Sequence, residues 1–172
     1  MQYHFNDTDA FAAFLAIWRA QLVGRTLTAC FRPVATYESL PDHFDDGLVL
    51  CTTTIEMAIF VNTSGAQASF GRFPVNLDQP DHLLSRHHHH RRWEQWHDDR
   101  LIGQSLQTIT LGFITAEGSQ YTYCNQVVIG LTAHHLVLTD IQNMMLVQID
   151  EGPSEIQQSH YQAVNSAWKQ RS

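Results

Sequence analysis

Four consecutive histidines, His87–His90, stand between Arg86 and Arg91 and are the densest group of reactive side chains in the sequence. Neutral imidazole is a good ligand for zinc, nickel or copper. If this segment begins a helix, His90 and His97 lie two turns apart on one face. His97 in turn adjoins Asp98 and Asp99. His88, His90, His97 and Asp98 are therefore the candidate ligands for a divalent metal, in a metal-binding protein or a metal-dependent hydrolase. A dedicated centre gathers its ligands from rigid elements and holds them with outer-shell partners. A contiguous run supplies neither, so the simpler expectation is a solvated loop.

Other reactive types are scattered. His134-His135 fits a tight turn between strands, with one imidazole on each side of a sheet. Asp42, Asp45 and Asp46 surround His43 in a segment with the composition of a turn. Cys30, Cys51 and Cys124 show no CxxC spacing, and an odd, widely spaced set argues against a disulfide framework or a structural zinc site. Buried, reduced thiols are expected instead. The chain carries no GxSxG, GxGxxG, P-loop or HExxH motif, so no catalytic residue is assigned. Arg92, Trp93 and Trp96 bring together the types enriched where proteins meet, and are the candidate interaction surface.

The charge balance narrows the partners. The 172 residues carry a net charge of −7 with histidine neutral, and +4 if all 11 histidines are protonated. The one basic cluster, around Arg86, Arg91, Arg92 and Arg100, is broken by Glu94, Asp98 and Asp99. Neither nucleic acid nor an anionic membrane is an expected partner. No basic stretch leads into an apolar run near Met1, and Phe11–Val23 is too short and polar to span a bilayer. The expected location is the cytoplasm.

The elements that must position these residues follow from periodicity. Asn6, Asp7, Thr8 and Asp9 offer caps for a first helix, with Phe11, Phe14, Leu15, Trp18 and Leu22 on one face and Gly24 after its end. Strands are expected at Arg25–Val34, Leu48–Thr54, Met57–Val61, Gln67–Phe73, Gln104–Thr115, Gln120–Asn125, Val127–Thr132, Leu136–Thr139 and Met144–Ile149. Trp93, Trp96, Arg100 and Leu101 share a helical face, which predicts a second helix. Ile156, Ala163, Val164, Ala167 and Trp168 predict a closing C-terminal helix.

The halves also match at one offset. Leu22-Val23-Gly24-Arg25-Thr26-Leu27 lies over Leu101-Ile102-Gly103-Gln104-Ser105-Leu106, 79 residues on (101 − 22). At the same offset Leu48-Val49-Leu50 lies over Val127-Val128-Ile129, and Met57-Ala58-Ile59 over Leu136-Val137-Leu138. The expectation is one domain, 1–172, of α+β class. It is a mainly antiparallel sheet or partly closed barrel made from two helix–strand–hairpin repeats, about 11–73 and 91–150, plus the C-terminal helix. The pseudo-repeat, 10–73 and 89–150, is joined by a loop over 74–92. The function expected is a non-catalytic intracellular protein-interaction module, working as a homodimer or through another protein partner, with no resident cofactor. The alternatives are the metal reading and a small-ligand pocket between the two repeats.

Overall fold

A computed structural model of the protein describes residues 2–37, 40–42, 47–62, 64–71, 91–115, 122–141 and 144–150. A short strand, β1 (Gln2–His4), precedes the helix α1 (Thr8–Ile17). Asp7, not Asn6, caps that helix: its carboxylate accepts the Asp9 and Ala10 N–H groups at 2.9 and 3.1 Å. The helix then widens into a π-helical turn, Trp18–Leu22, closed by the Val23 N–H on Trp18 O. Phe11, Phe14, Trp18 and Leu22 are buried, as their spacing requires. Phe14 sits at the centre of an aromatic cluster, 4.8 Å from Phe5 and 5.0 Å from Phe70 between ring centroids.

The rest is antiparallel sheet. The strands are β2 (Leu27–Tyr37), β3 (Leu40–Asp42), β4 (Leu48–Thr52), β5 (Glu56–Asn62) and β6 (Gly65–Gly71), then β7 (Arg91–Gln95). The second set is β8 (Leu106–Thr115), β9 (Thr122–Leu131), β10 (His135–Ile141) and β11 (Met144–Asp150). The first sheet runs β1-β6-β5-β4-β2-β3, with β7 also paired to β2; the second runs β11-β10-β9-β8. Phe31 has partners in both β4 and β7, so those strands flank β2 on opposite edges.

The two sheets share a register. Leu27↔Thr52, Leu48↔Ile59 and Met57↔Phe70 join β2 to β4, β4 to β5 and β5 to β6. Adding 79 gives Leu106↔Leu131, Val127↔Leu138 and Leu136↔Ile149, which join β8 to β9, β9 to β10 and β10 to β11. The irregularity between Leu27 and Ala29 recurs between Leu106 and Thr108.

The sheets meet at the matched positions. Gly24 N–H donates to Leu106 O at 2.7 Å, and Gly103 N–H to Leu27 O at 2.9 Å. Leu27 N–H donates to Gln104 O at 2.8 Å, and Leu106 N–H to Arg25 O at 2.9 Å. Each bond maps onto another when 79 is added to one partner and subtracted from the other. Thr26 and Ser105, at the centre, form a β-bridge. One buried cluster fills the space between the sheets, taking Leu48, Leu50, Met57 and Ile59 from the first and Val127, Ile129, Leu136 and Leu138 from the second.

These observations correct the expected fold class. Strand dominates, α1 is the one α-helix among the described residues, and the sheets form two layers, not a closed barrel. The α+β unit of helix, strand and hairpin is not what recurs; the offset relates strands. The second helix expected from Trp93 is absent because Arg91–Gln95 is β7, paired along Phe31–Ala35 of β2. The expected linker 74–92 therefore ends too late, at a strand that starts at Arg91. Within so short a segment, helical spacing cannot compete with a neighbouring strand edge that lacks partners. The C-terminal helix falls outside the described residues.

Gly24 and Gly103 have φ of +78° and +87°, and a Cβ at either would meet nothing within 4 Å. Substitution there acts through backbone conformation alone. Gly24→Ala and Gly103→Ala are each expected to cost about 1–2 kcal/mol, with similar losses in thermal unfolding. Clearly unequal losses would show that the two turns do not carry equivalent strain.

Candidate functional site

The three cysteines, expected to be buried reduced thiols, lie inside the packed sheets. Cys51 lies on β4 opposite Glu56. Burial, and secondarily the Glu56 charge, push its thiol from 9.0 up to about 11. Burial pushes the Cys124 thiol up to about 12, against weaker opposition from hydrogen bonds with backbone groups of Gln126 and Ala66. Cys30 is also buried, and all three are free thiols. A nucleophilic cysteine needs the opposite environment, electropositive and part-exposed.

The candidate metal ligands do not assemble among the described residues. His88 and His90 lie outside them. His97 is exposed just beyond β7. The Asp98 carboxylate is committed to Arg100: Oδ1 accepts the Arg100 N–H at 2.9 Å and Nε at 3.0 Å, and Oδ2 accepts Nη2 at 2.8 Å. Those bonds hold Asp98 below its ordinary carboxylate range, with a smaller contribution from the nearby His134. The same residue shapes the turn into the junction, because its carbonyl accepts the Leu101 and Ile102 N–H groups. No group of three His, Cys, Asp or Glu among the described residues could hold a metal ion.

His134 and His135 occupy the turn into β10, where Leu131 N–H donates to His134 O at 2.8 Å. The Nδ1 atoms of both imidazoles, and Asn125 Oδ1 in β9, are buried without a hydrogen-bond partner. Each such atom costs about 1–3 kcal/mol.

Arg92 and Trp93 lie in β7 at the register positions of Val34 and Pro33. Trp96 is half-buried against the core, its N–H bonded to Cys30 O at 2.8 Å, with the Arg32 guanidinium 5.4 Å from its ring centroid. Asp42 falls in β3, and 43–46 lie outside the described residues.

The structure adds a feature that residue types did not single out: the outer edge of β8. Beyond the junction at Leu106, no strand among the described residues pairs with it, and β8 ends its sheet. The corresponding edge of β2 is filled by β7. Subtracting 79 from 91–95 gives 12–16, which lies within α1, so the partner that symmetry would assign to β8 is helical. The strand Leu-Gln-Thr-Ile-Thr-Leu-Gly-Phe-Ile-Thr has no charge and no proline, the usual guards of an open edge. That composition was visible in the sequence, but not which edge stays open. Asn6 is a second such residue. It donates to Ser64 O at 2.9 Å and accepts Cys124 N–H at 2.7 Å, tying the N-terminal segment to the second sheet.

Two measurements follow. With pKa values of about 11 and 12 against 9.0, thiolate at pH 8 is roughly 100-fold and 1,000-fold scarcer at Cys51 and Cys124. Alkylation of the native chain by iodoacetamide should be at least that much slower than in urea; labelling at the unfolded rate would refute the burial of these thiols. Asp98 has a depressed pKa, so its contribution to stability is present above the unfolded value, about 3.9, and is lost as pH falls through the lower, folded one. Asp98→Asn should destabilise at pH 7 by no more than about 1 kcal/mol, since Arg100 is half exposed. Thermal melts of the two proteins should converge at acid pH; a gap that persists there would assign the effect to packing.

Comparison with known proteins finds no counterpart: no family model, curated protein or solved structure matches the chain.

Proposed function

We propose that the chain is a non-catalytic module that works through protein contacts, made along the outer edge of β8. The observation that carries this reading is the ten-residue strand Leu106–Thr115, uncharged and unpaired on that side among the described residues. An open edge offers a row of peptide groups to an incoming extended segment, and main-chain bonds supply the affinity. The direction of those groups follows from β2. Cys30 turns its carbonyl outward to Trp96 N–H, and Ile109 holds the matching place (30 + 79). By strand alternation Ile109, Leu111 and Phe113 then present their peptide groups to the open edge.

The rigid backing suits such a role. Leu111 is buried in the core, and Ile109 and Phe113 pack against it. An edge fixed in this way meets a partner strand with little further ordering to lose.

Amide hydrogen exchange on the dilute chain tests the reading. The Ile109, Leu111 and Phe113 amides should exchange far faster than those of Ile129 and Leu136, which lie on strands paired on both sides. Equally slow exchange at all five would mean that the edge is already filled within the chain, and the reading would fall.

A further inference from the structure

We infer that the occupant of this edge is a second copy of the chain, its β8 laid antiparallel against the first to form a twofold dimer. The inference rests on the reading of β8 as the contact edge, and it names the partner.

Three observations select a copy of the same chain. The first is charge. Leu106–Thr115 has no ionisable side chain, so two copies can meet along it without the like-charge pairs that antiparallel neighbours on one face would otherwise create. The second is self-complementarity. A twofold contact needs one patch that fits itself, and antiparallel pairing of a strand with its own copy meets that condition along its whole length. The peptide groups of Ile109, Leu111 and Phe113 would bond the same groups of the mate.

The third observation is that the fold already contains such a pairing. Gly24–Leu27 and Gly103–Leu106 are matched segments, and they meet antiparallel through four exchanged main-chain bonds about Thr26 and Ser105. On the β2 side this contact continues into β7 along Phe31–Ala35. On the β8 side no strand among the described residues continues it along the matching stretch, Thr110–Ile114. The dimer would extend an existing line of pairing through the second sheet.

The exposed large apolar side chains among the described residues, Val23 at 42% and Leu146 at 40%, lie elsewhere: Val23 before the junction and Leu146 on β11. They give a control for ordinary hydrophobic association.

Salt gives a further signature. Each chain carries a net charge of −7, so two copies repel at low ionic strength while the strand contact itself is uncharged. Added salt screens the repulsion and should tighten the dimer.

Sedimentation velocity on the full chain over a hundredfold range of concentration tests the proposal. The expected result is a reversible dimer, strengthened by salt and weakened at least tenfold by Thr110→Lys, which sets like charges near the dyad. Val23→Asp and Leu146→Asp should leave it unchanged. Should the lysine variant fail to fold, hydrogen exchange of the unmodified chain answers instead: Leu111 and Phe113 should become protected as concentration rises. A strict monomer with fast-exchanging edge amides would overturn the second copy as occupant, while leaving the edge for another protein's strand. A dimer abolished by Leu146→Asp but not by Thr110→Lys would overturn it too. Slow edge amides in the dilute monomer would overturn both the dimer and the reading beneath it.

Discussion

Four main-chain hydrogen bonds between Gly24–Leu27 and Gly103–Leu106 hold the two sheets in their relation to each other. They are short and occur between peptide groups, so they depend on backbone position more than on side-chain identity. Both segments must leave a turn at once to make them, and Gly24 and Gly103 supply the positive φ that this requires. From that junction β2 and β8 diverge. Each heads its own meander, and the inner faces close over a common core.

The core explains why neither sheet stands by itself. Leu48, Leu50, Met57 and Ile59 are almost wholly buried, and so are Val127, Ile129, Leu136 and Leu138. Each apolar side chain fully removed from water contributes roughly 1.5–3 kcal/mol. A single meander would leave its set facing solvent. On its other side the first sheet buries Val49, Cys51 and Ala58 in a smaller cluster flanked by Ala29, Phe31 and Phe60. This double burial is what keeps Cys51 protonated.

The two halves differ in what leads into them. Before the first junction the chain is helical, anchored by the Asp7 cap and by the Phe5, Phe11, Phe14 and Phe70 rings. Before the second it is extended, as β7 on β2. Trp18 is buried where the matched residue, His97, is exposed. Because one lead-in adds a strand and the other does not, one outer edge is covered while its counterpart has no strand beside it among the described residues. The candidate site is therefore a product of asymmetry within a nearly symmetric frame.

Much of the strand content was legible in the sequence. Leu48–Thr54 became Leu48–Thr52, and Met144–Ile149 became Met144–Asp150, because alternation of apolar residues reports a half-buried strand directly. The first helix was legible through its cap and its aromatic spacing. Three features were not. β1 is three residues long, too short for any period. Gln120–Asn125 and Val127–Thr132 read as two strands but form the single β9, whose pairing slips where Asn125 has no partner opposite. The segment from Trp93 has helical spacing because Trp93 and Trp96 lie three apart, and only the edge of β2 makes Arg91–Gln95 a strand. The sequence by itself determined which residues are apolar and with what period, and so where most strands fall. Tertiary structure decided which edges find partners, because hydrogen bonding between distant peptide groups leaves no mark on local composition.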